Sequence, residues 1–165
     1  MNIFVPSSCP VACAEYLDDK RVVKMILETA QLLSTAHHLN NTTLDCSKIY
    51  KPTHANHPCA VWVREAVGNY RWTWLHLQAL CNEYTNRYKR IHKTELDMLN
   101  ILHTAPDIPD TGATPFVNCA ANKDLGLDFK SLSDVHTAYS MYLENRWRTD
   151  KRKPTWYKQT ERKVT

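Results

Sequence analysis

Glycine is nearly absent from this chain: Gly68, Gly112 and Gly126 are the only three in 165 residues. Sandwiches, barrels and dinucleotide-binding sheets use glycine at tight turns and beneath phosphates. The sequence holds no G-x-G-x-x-G and no G-x-x-x-x-G-K, which excludes nucleotide binding by either device. Long apolar runs are missing too. None approaches the roughly 18 residues of a membrane span, so no membrane is expected as a partner. The first residues, Met1-Asn2-Ile3-Phe4-Val5-Pro6, lack a basic region and are too short for a signal peptide. These two features predict a cytoplasmic protein. Its six cysteines (Cys9, Cys13, Cys46, Cys59, Cys81, Cys119) are then reduced thiols rather than a disulfide framework.

What is present is an apolar content of 43%, enough for one domain with a real core. Its spacing is helical. Ser7 and Ser8 before Pro10 signal a short helix from about Pro10 to Leu17. Val22, Ile26, Ala30, Leu33 and Ala36 then recur at intervals of three and four, widened by Val23, Leu27 and Leu32. Asp18 and Asp19 open that helix, which ends near His38. A polar stretch over 40–57 follows. Pro58 opens a further helical pattern to about Lys89, interrupted at Gly68-Asn69. Thr94 caps a helix to about Leu102, and 104–130 form a long loop rich in proline. Ser131-Leu132-Ser133-Asp134 reads as a capping box for a last helix from Leu132 to Arg148. The fold expected is all-α, a compact single domain of four to six helices over 1–149. A basic aromatic C-terminal tail over 150–165 packs on it or extends from it.

Charge concentrates in that tail. Eight basic residues lie between Arg146 and Lys163 against only Asp150 and Glu161, while the rest of the chain is slightly acidic. Such asymmetry points to a polyanion. Within it, Lys153-Pro154-Thr155-Trp156-Tyr157-Lys158 sets two aromatics between lysines on backbone that proline keeps out of a helix. Cations of this kind meet phosphates, and the rings stack on bases. The alternative is that Trp156 folds back and plugs the domain.

Two other clusters carry chemistry. Thr53-His54-Ala55-Asn56-His57-Pro58-Cys59 sets two histidines three apart before a helix. They suit proton transfer or phosphate contact, or else Asn56 caps the helix and His54 satisfies loop backbone. A metal held by His54, His57 and Cys59 lacks a C-x-x-C partner, with only Cys9 and Cys13 to complete it, so no metal and no cofactor are assigned. Asp18-Asp19-Lys20-Arg21 with Lys24 places a carboxylate among cations, either a poised acid or base or an ordinary first helical turn.

Together these features resemble the phage pyrimidine-dimer DNA glycosylase family of the endonuclease V type. The likeness rests on the short apolar N-terminus leading into helix, on an early carboxylate followed by arginine (Asp19 and Arg21), and on the segment from Lys153 to Lys158. The resemblance implies a DNA N-glycosylase acting on damaged or modified bases, working as a monomer in the host cytoplasm. Arg152, Lys153, Trp156, Tyr157 and Lys158, with Lys24 from the long helix, would contact the DNA. Asp19 would stabilise an oxocarbenium-like transition state beside Arg21, and His54 or His57 would assist departure of the base. The family attacks the sugar with the α-amine of a small residue exposed by methionine removal. Asn2 stands at that position and is counted with the catalytic candidates, but it is large enough for Met1 to be retained, so strand cleavage is not expected and hydrolysis of the glycosidic bond remains. Two other readings stand beside this one: an enzyme on free nucleotides or nucleosides using the His54/His57 loop, and a non-catalytic DNA-binding protein.

Overall fold

Twenty-one residues after Asp18 form the helix around which the rest of the chain is arranged. The structure, a computed structural model, describes residues 1–157. Helix α1 spans Pro10–Tyr16 and α2 spans Asp19–Leu39. Val22, Met25, Ile26, Ala30, Leu33 and Ala36 of α2 are buried, as the three- and four-residue spacing requires. Val23 and Leu27, expected to widen that stripe, face outward instead, at 37% and 40% exposure. Helices α2 and α1 both pack against α4 (Val67–Tyr88). The stub before α1 forms no strand, but Ile3 and Val5 are buried and anchor it.

The interruption expected at Gly68-Asn69 falls three residues earlier. Helix α3 (Pro58–Val63) ends, and α4 begins after Ala66. Gly68 and Asn69 lie inside the first turn of α4, where amide groups have no partner within the helix. The long loop supplies those partners. Val67 N donates to Pro109 O and Gly68 N to Thr111 O, both at 2.9 Å. A Cβ on Gly68 would stand 2.2 Å from the Ala113 nitrogen, so this glycine permits a close approach and does not break the helix. Asn69 Nδ2 bonds Trp62 O at 2.7 Å and Thr114 Oγ1 at 2.8 Å, tying α3, α4 and the loop together.

Thr94 does not start a regular helix. The chain makes a π-helical turn over Glu95–Leu99 and a 3-10 turn over Ile101–His103. The loop that follows contains a two-residue antiparallel pairing, β1 (Ala121–Asn122) against β2 (Leu127–Asp128). Gly126 turns the chain between them at φ +65°. Helix α5 runs Val135–Thr149 and is capped by Asp134, which accepts from His136 N and Thr137 N; the serines before it do not form the cap. Five α-helices and one small hairpin therefore make a mostly helical fold among the described residues. None of its helices is long and apolar enough to cross a membrane. The α5 side closes on the N-terminal stub: Phe4 stacks on Tyr142 at 5.9 Å, and His136 Nδ1 bonds Val5 O at 2.7 Å. All six cysteines are free, and Cys81 is fully buried in α4.

His76 gives this core a pH dependence. It is fully buried beneath Trp72, with Nδ1 on Pro10 O at 3.0 Å and no partner for Nε2 among the described residues. Burial pulls it down from 6.5 to about 4. The unfolded chain binds a proton below pH 6.5 that the folded chain refuses until about pH 4. Stability is therefore full above 6.5 and falls as the pH drops through that window. At pH 5 the loss is about 2 kcal/mol. Urea unfolding at pH 7 and pH 5 should show this drop in the parent chain and a smaller one in His76→Gln. Equal drops in both would refute the assignment.

Candidate active site

On α2, Arg21, Lys24 and Glu28 fall three and four residues apart and so share one face. The N-terminal stub lies across that face. Because Ile3 and Val5 are held in the core, the two residues before them are delivered to Glu28. The Asn2 nitrogen stands 3.3 Å from Glu28 Oε2, and the Met1 ammonium 4.0 Å from the same oxygen. Lys24 Nζ holds Oε1 at 3.0 Å. The Asn2 side chain is pinned: Oδ1 accepts from Ile3 N at 2.8 Å, Tyr139 Oη at 2.9 Å and Cys59 Sγ at 3.3 Å. Its Nδ2 donates to Cys119 O at 3.2 Å. Met1, Asn2, Lys24 and Glu28 line a cavity of about 340 Å³ whose wall also carries Lys20, Arg21, Arg146 and Asn122. A carboxylate facing an amine, ringed by cations, in a hollow this size can do chemistry on an anionic polymer.

Asp19 does not line this cavity. It is buried, its Oδ1 3.1 Å from Arg87 Nη1 and its Oδ2 accepting from the Thr155 hydroxyl at 2.5 Å. Arg21 reaches the wall but is held by Asp18 Oδ1 and Asp150 Oδ2, both at 2.8 Å. Burial works against its charge, but those two partners outweigh it and keep the guanidinium above its ordinary value. Lys24 is exposed at the rim. The histidine loop divides. His54 is exposed at φ +48°, bonded to Thr53 Oγ1, and takes no part in the wall. His57, not Asn56, is the N-cap of α3, with Nδ1 accepting from Cys59 N at 3.2 Å. Burial first, and then the N-terminal ammonium, hold His57 below its usual value, with Glu28 pulling the other way. Beside it Cys59 and Cys119 meet. The hydrogen bond with Cys59 draws the Cys119 thiol down to about 7 against the effect of burial.

The C-terminal segment folds back over the junction of α1 and α2. Asp19 N donates to Thr155 O at 2.9 Å, and Trp156 Nε1 to Tyr16 O at 3.1 Å. Trp156 is half-buried edge-on against Trp147 at 5.0 Å, while Arg152, Lys153 and Tyr157 are exposed. Lys158 lies outside the described residues. Larger hollows of about 590 and 650 Å³ open near His37 and Trp74, but their walls bring no carboxylate to an amine.

Glu28 is the residue that reading the sequence missed. A signal exists: a glutamate between buried Met25 and Ile26 on one side and buried Thr29 and Ala30 on the other needs a partner or a function. A model of the family described as pyrimidine dimer DNA glycosylase matches residues 1–96. That span holds Met1, Asn2, Lys24, Glu28 and His57 and ends before Cys119 and Arg146. No curated protein and no solved structure matches the chain.

Proposed function

Because the chain belongs to the pyrimidine dimer DNA glycosylase family, we propose that the cavity between the N-terminus and Glu28 breaks the glycosidic bond of a dimerised pyrimidine in DNA. The observation that carries this reading is the pairing of the Met1 ammonium with Glu28 Oε2, an oxygen that also accepts from the Asn2 peptide N–H at 3.3 Å. Glu28 takes the proton of the ammonium. The freed lone pair attacks the sugar C1′, and the electron pair of the glycosidic bond leaves with the base, which takes the proton back. The C1′–O4′ bond of the resulting aminal then breaks as nitrogen forms the C1′=N bond, a proton passes from nitrogen to O4′, and the regenerated carboxylate faces the positive iminium. Where Met1 is removed, the same place passes to the Asn2 amine. Retention of Met1 therefore does not remove the nucleophile, and the imine step is restored to the reading.

Lys20, Lys24 and Arg146 at the rim would take phosphates on either side of the lesion, with Arg152 and Lys153 extending the basic surface. Trp156 and Thr155, engaged with Tyr16 and Asp19, support that surface more than they read bases. Asp19 serves the same anchoring role, and the chemistry passes to Glu28.

The test is borohydride reduction during turnover of a duplex carrying one cyclobutane pyrimidine dimer. The expected result is a covalent protein–DNA adduct that peptide mapping places on the first residue. Abasic sites without any trapped adduct would replace the amine with hydrolytic attack. Neither adduct nor abasic site would overturn the reading.

A further inference from the structure

We propose that His57, Cys59 and Cys119 form a binding site for a zinc-type divalent cation. The three ligand atoms, one nitrogen and two sulfurs, all lie within 4.8 Å of one another. A tetrahedral zinc with sulfur at about 2.3 Å and nitrogen at about 2.1 Å needs its ligands roughly 3.5–3.8 Å apart. Closing the cluster onto an ion thus takes side-chain shifts of about 1 Å or less.

The donors come from two rigid places. His57 caps α3 and Cys59 stands in its first turn, with Pro58 fixing the backbone between them. Cys119 arrives from the loop before β1 and is held there by its amide, which donates to Tyr139 Oη at 3.1 Å. Ligation through Nδ1 would replace the hydrogen bond that this nitrogen of His57 accepts from the Cys59 amide at 3.2 Å. Two thiolates neutralise a dication, and a sulfur-and-imidazole set favours zinc over magnesium or calcium, which require oxygen donors.

Three protein ligands leave a fourth position, as in zinc sites that keep one open. Binding as a thiolate would give up the hydrogen bond that Cys59 Sγ donates to Asn2 Oδ1 at 3.3 Å, while Tyr139 Oη continues to hold Asn2. A bound ion would tie α3 to the Cys119 loop on both sides of Asn2, fixing the wall from which the N-terminus reaches Glu28. His54 has no part in it, and neither do Cys9 and Cys13.

The experiment reads metal content, so it stands or falls apart from glycosylase activity. Full-length protein made in zinc-supplemented medium and dialysed against metal-free buffer should carry about one zinc per chain. Replacement by Co²⁺ should give a near-ultraviolet thiolate-to-cobalt band. Cys119→Ser, at a half-exposed position, should weaken zinc binding by more than about 100-fold, beyond the loss typical of a residue that only supports a ligand. Cys46→Ser, outside the cluster, should keep the ion. A chain that takes up neither zinc nor cobalt would overturn the proposal, as would one that binds zinc equally after Cys119→Ser. An intact mass lower by two hydrogens, with Cys59 linked to Cys119, would overturn it in favour of a disulfide.

Discussion

Glu28→Gln should lower the rate of glycosidic bond cleavage by about 100-fold or more while leaving affinity for dimer-containing DNA within a few-fold of the parent. The amide keeps the shape of the carboxylate but can neither accept the proton of the Met1 ammonium, 4.0 Å away, nor offset positive charge on the sugar. Both functions belong to the transition state, so the loss should appear in kcat more than in KM. Affinity should be steady or slightly higher, because Lys24 loses its partner at 3.0 Å and is freed for phosphate. Single-turnover cleavage of a duplex with one dimer, beside equilibrium binding at fixed salt, measures both. Asp19→Asn is the comparison. It should cost stability and spare the chemistry of the folded fraction. If Asp19→Asn removed turnover at unchanged Tm and Glu28→Gln did not, the reaction would lie at the start of α2 and not at the cavity.

Contrasting those two carboxylates shows what the sequence could reveal. Helices α1, α2 and α5 were legible within a few residues, because burying one face of a helix imposes a spacing of three and four on the chain. The break before α4 was misplaced because its cause is tertiary. Loop carbonyls at Pro109 and Thr111 complete the helix end, and Gly68 is needed for their approach. The π-turn at Glu95–Leu99 leaves Leu96 at 69% exposure, so the apolar pattern there carries no information about a buried face. Asp19 attracted attention as an acid among cations, but its decisive partner, Arg87, is 68 residues away. No local pattern separates a poised carboxylate from one already locked in an ion pair. Beyond its place between Met25-Ile26 and Thr29-Ala30, Glu28 had only Lys24 at i−4 to mark it, a spacing that usually signifies a solvated pair. Cys119 was invisible as a partner of His57 and Cys59 for the same reason, since only the fold of the long loop brings it there. Asn2 was placed by resemblance, and its geometry depends on Ile3 and Val5 being buried behind it.

Arg87→Met should destabilise the protein by about 3–5 kcal/mol, a third or more of the stability of an ordinary domain. The guanidinium is 1% exposed and uses its whole fork. Nε and Nη2 reach Glu83 Oε2 at 3.0 and 2.8 Å, and Nη1 reaches Asp19 Oδ1 at 3.1 Å and Leu17 O at 2.8 Å. Methionine keeps much of the apolar stem but takes the cation from between two carboxylates that are 4% and 5% exposed. The cost is chiefly the burial of negative charge left without its counter-ion, which is why it exceeds the value of an exposed pair several-fold. The loss also spreads, because Asp19 carries the Thr155 hydroxyl and Leu17 O closes the turn between α1 and α2. Asp19→Asn should cost less, since the amide oxygen still accepts from Thr155. Arg90→Ala, just beyond the end of α4 and exposed, should stay within about 0.5 kcal/mol. Urea unfolding monitored by tryptophan fluorescence ranks the three, and a loss under about 1 kcal/mol for Arg87→Met would show that the ion pairs do not hold this end of the fold. Below its lowered midpoint the folded fraction of Arg87→Met should still cleave if the reacting groups are those proposed on the Glu28 face of α2 and not at its buried first turn.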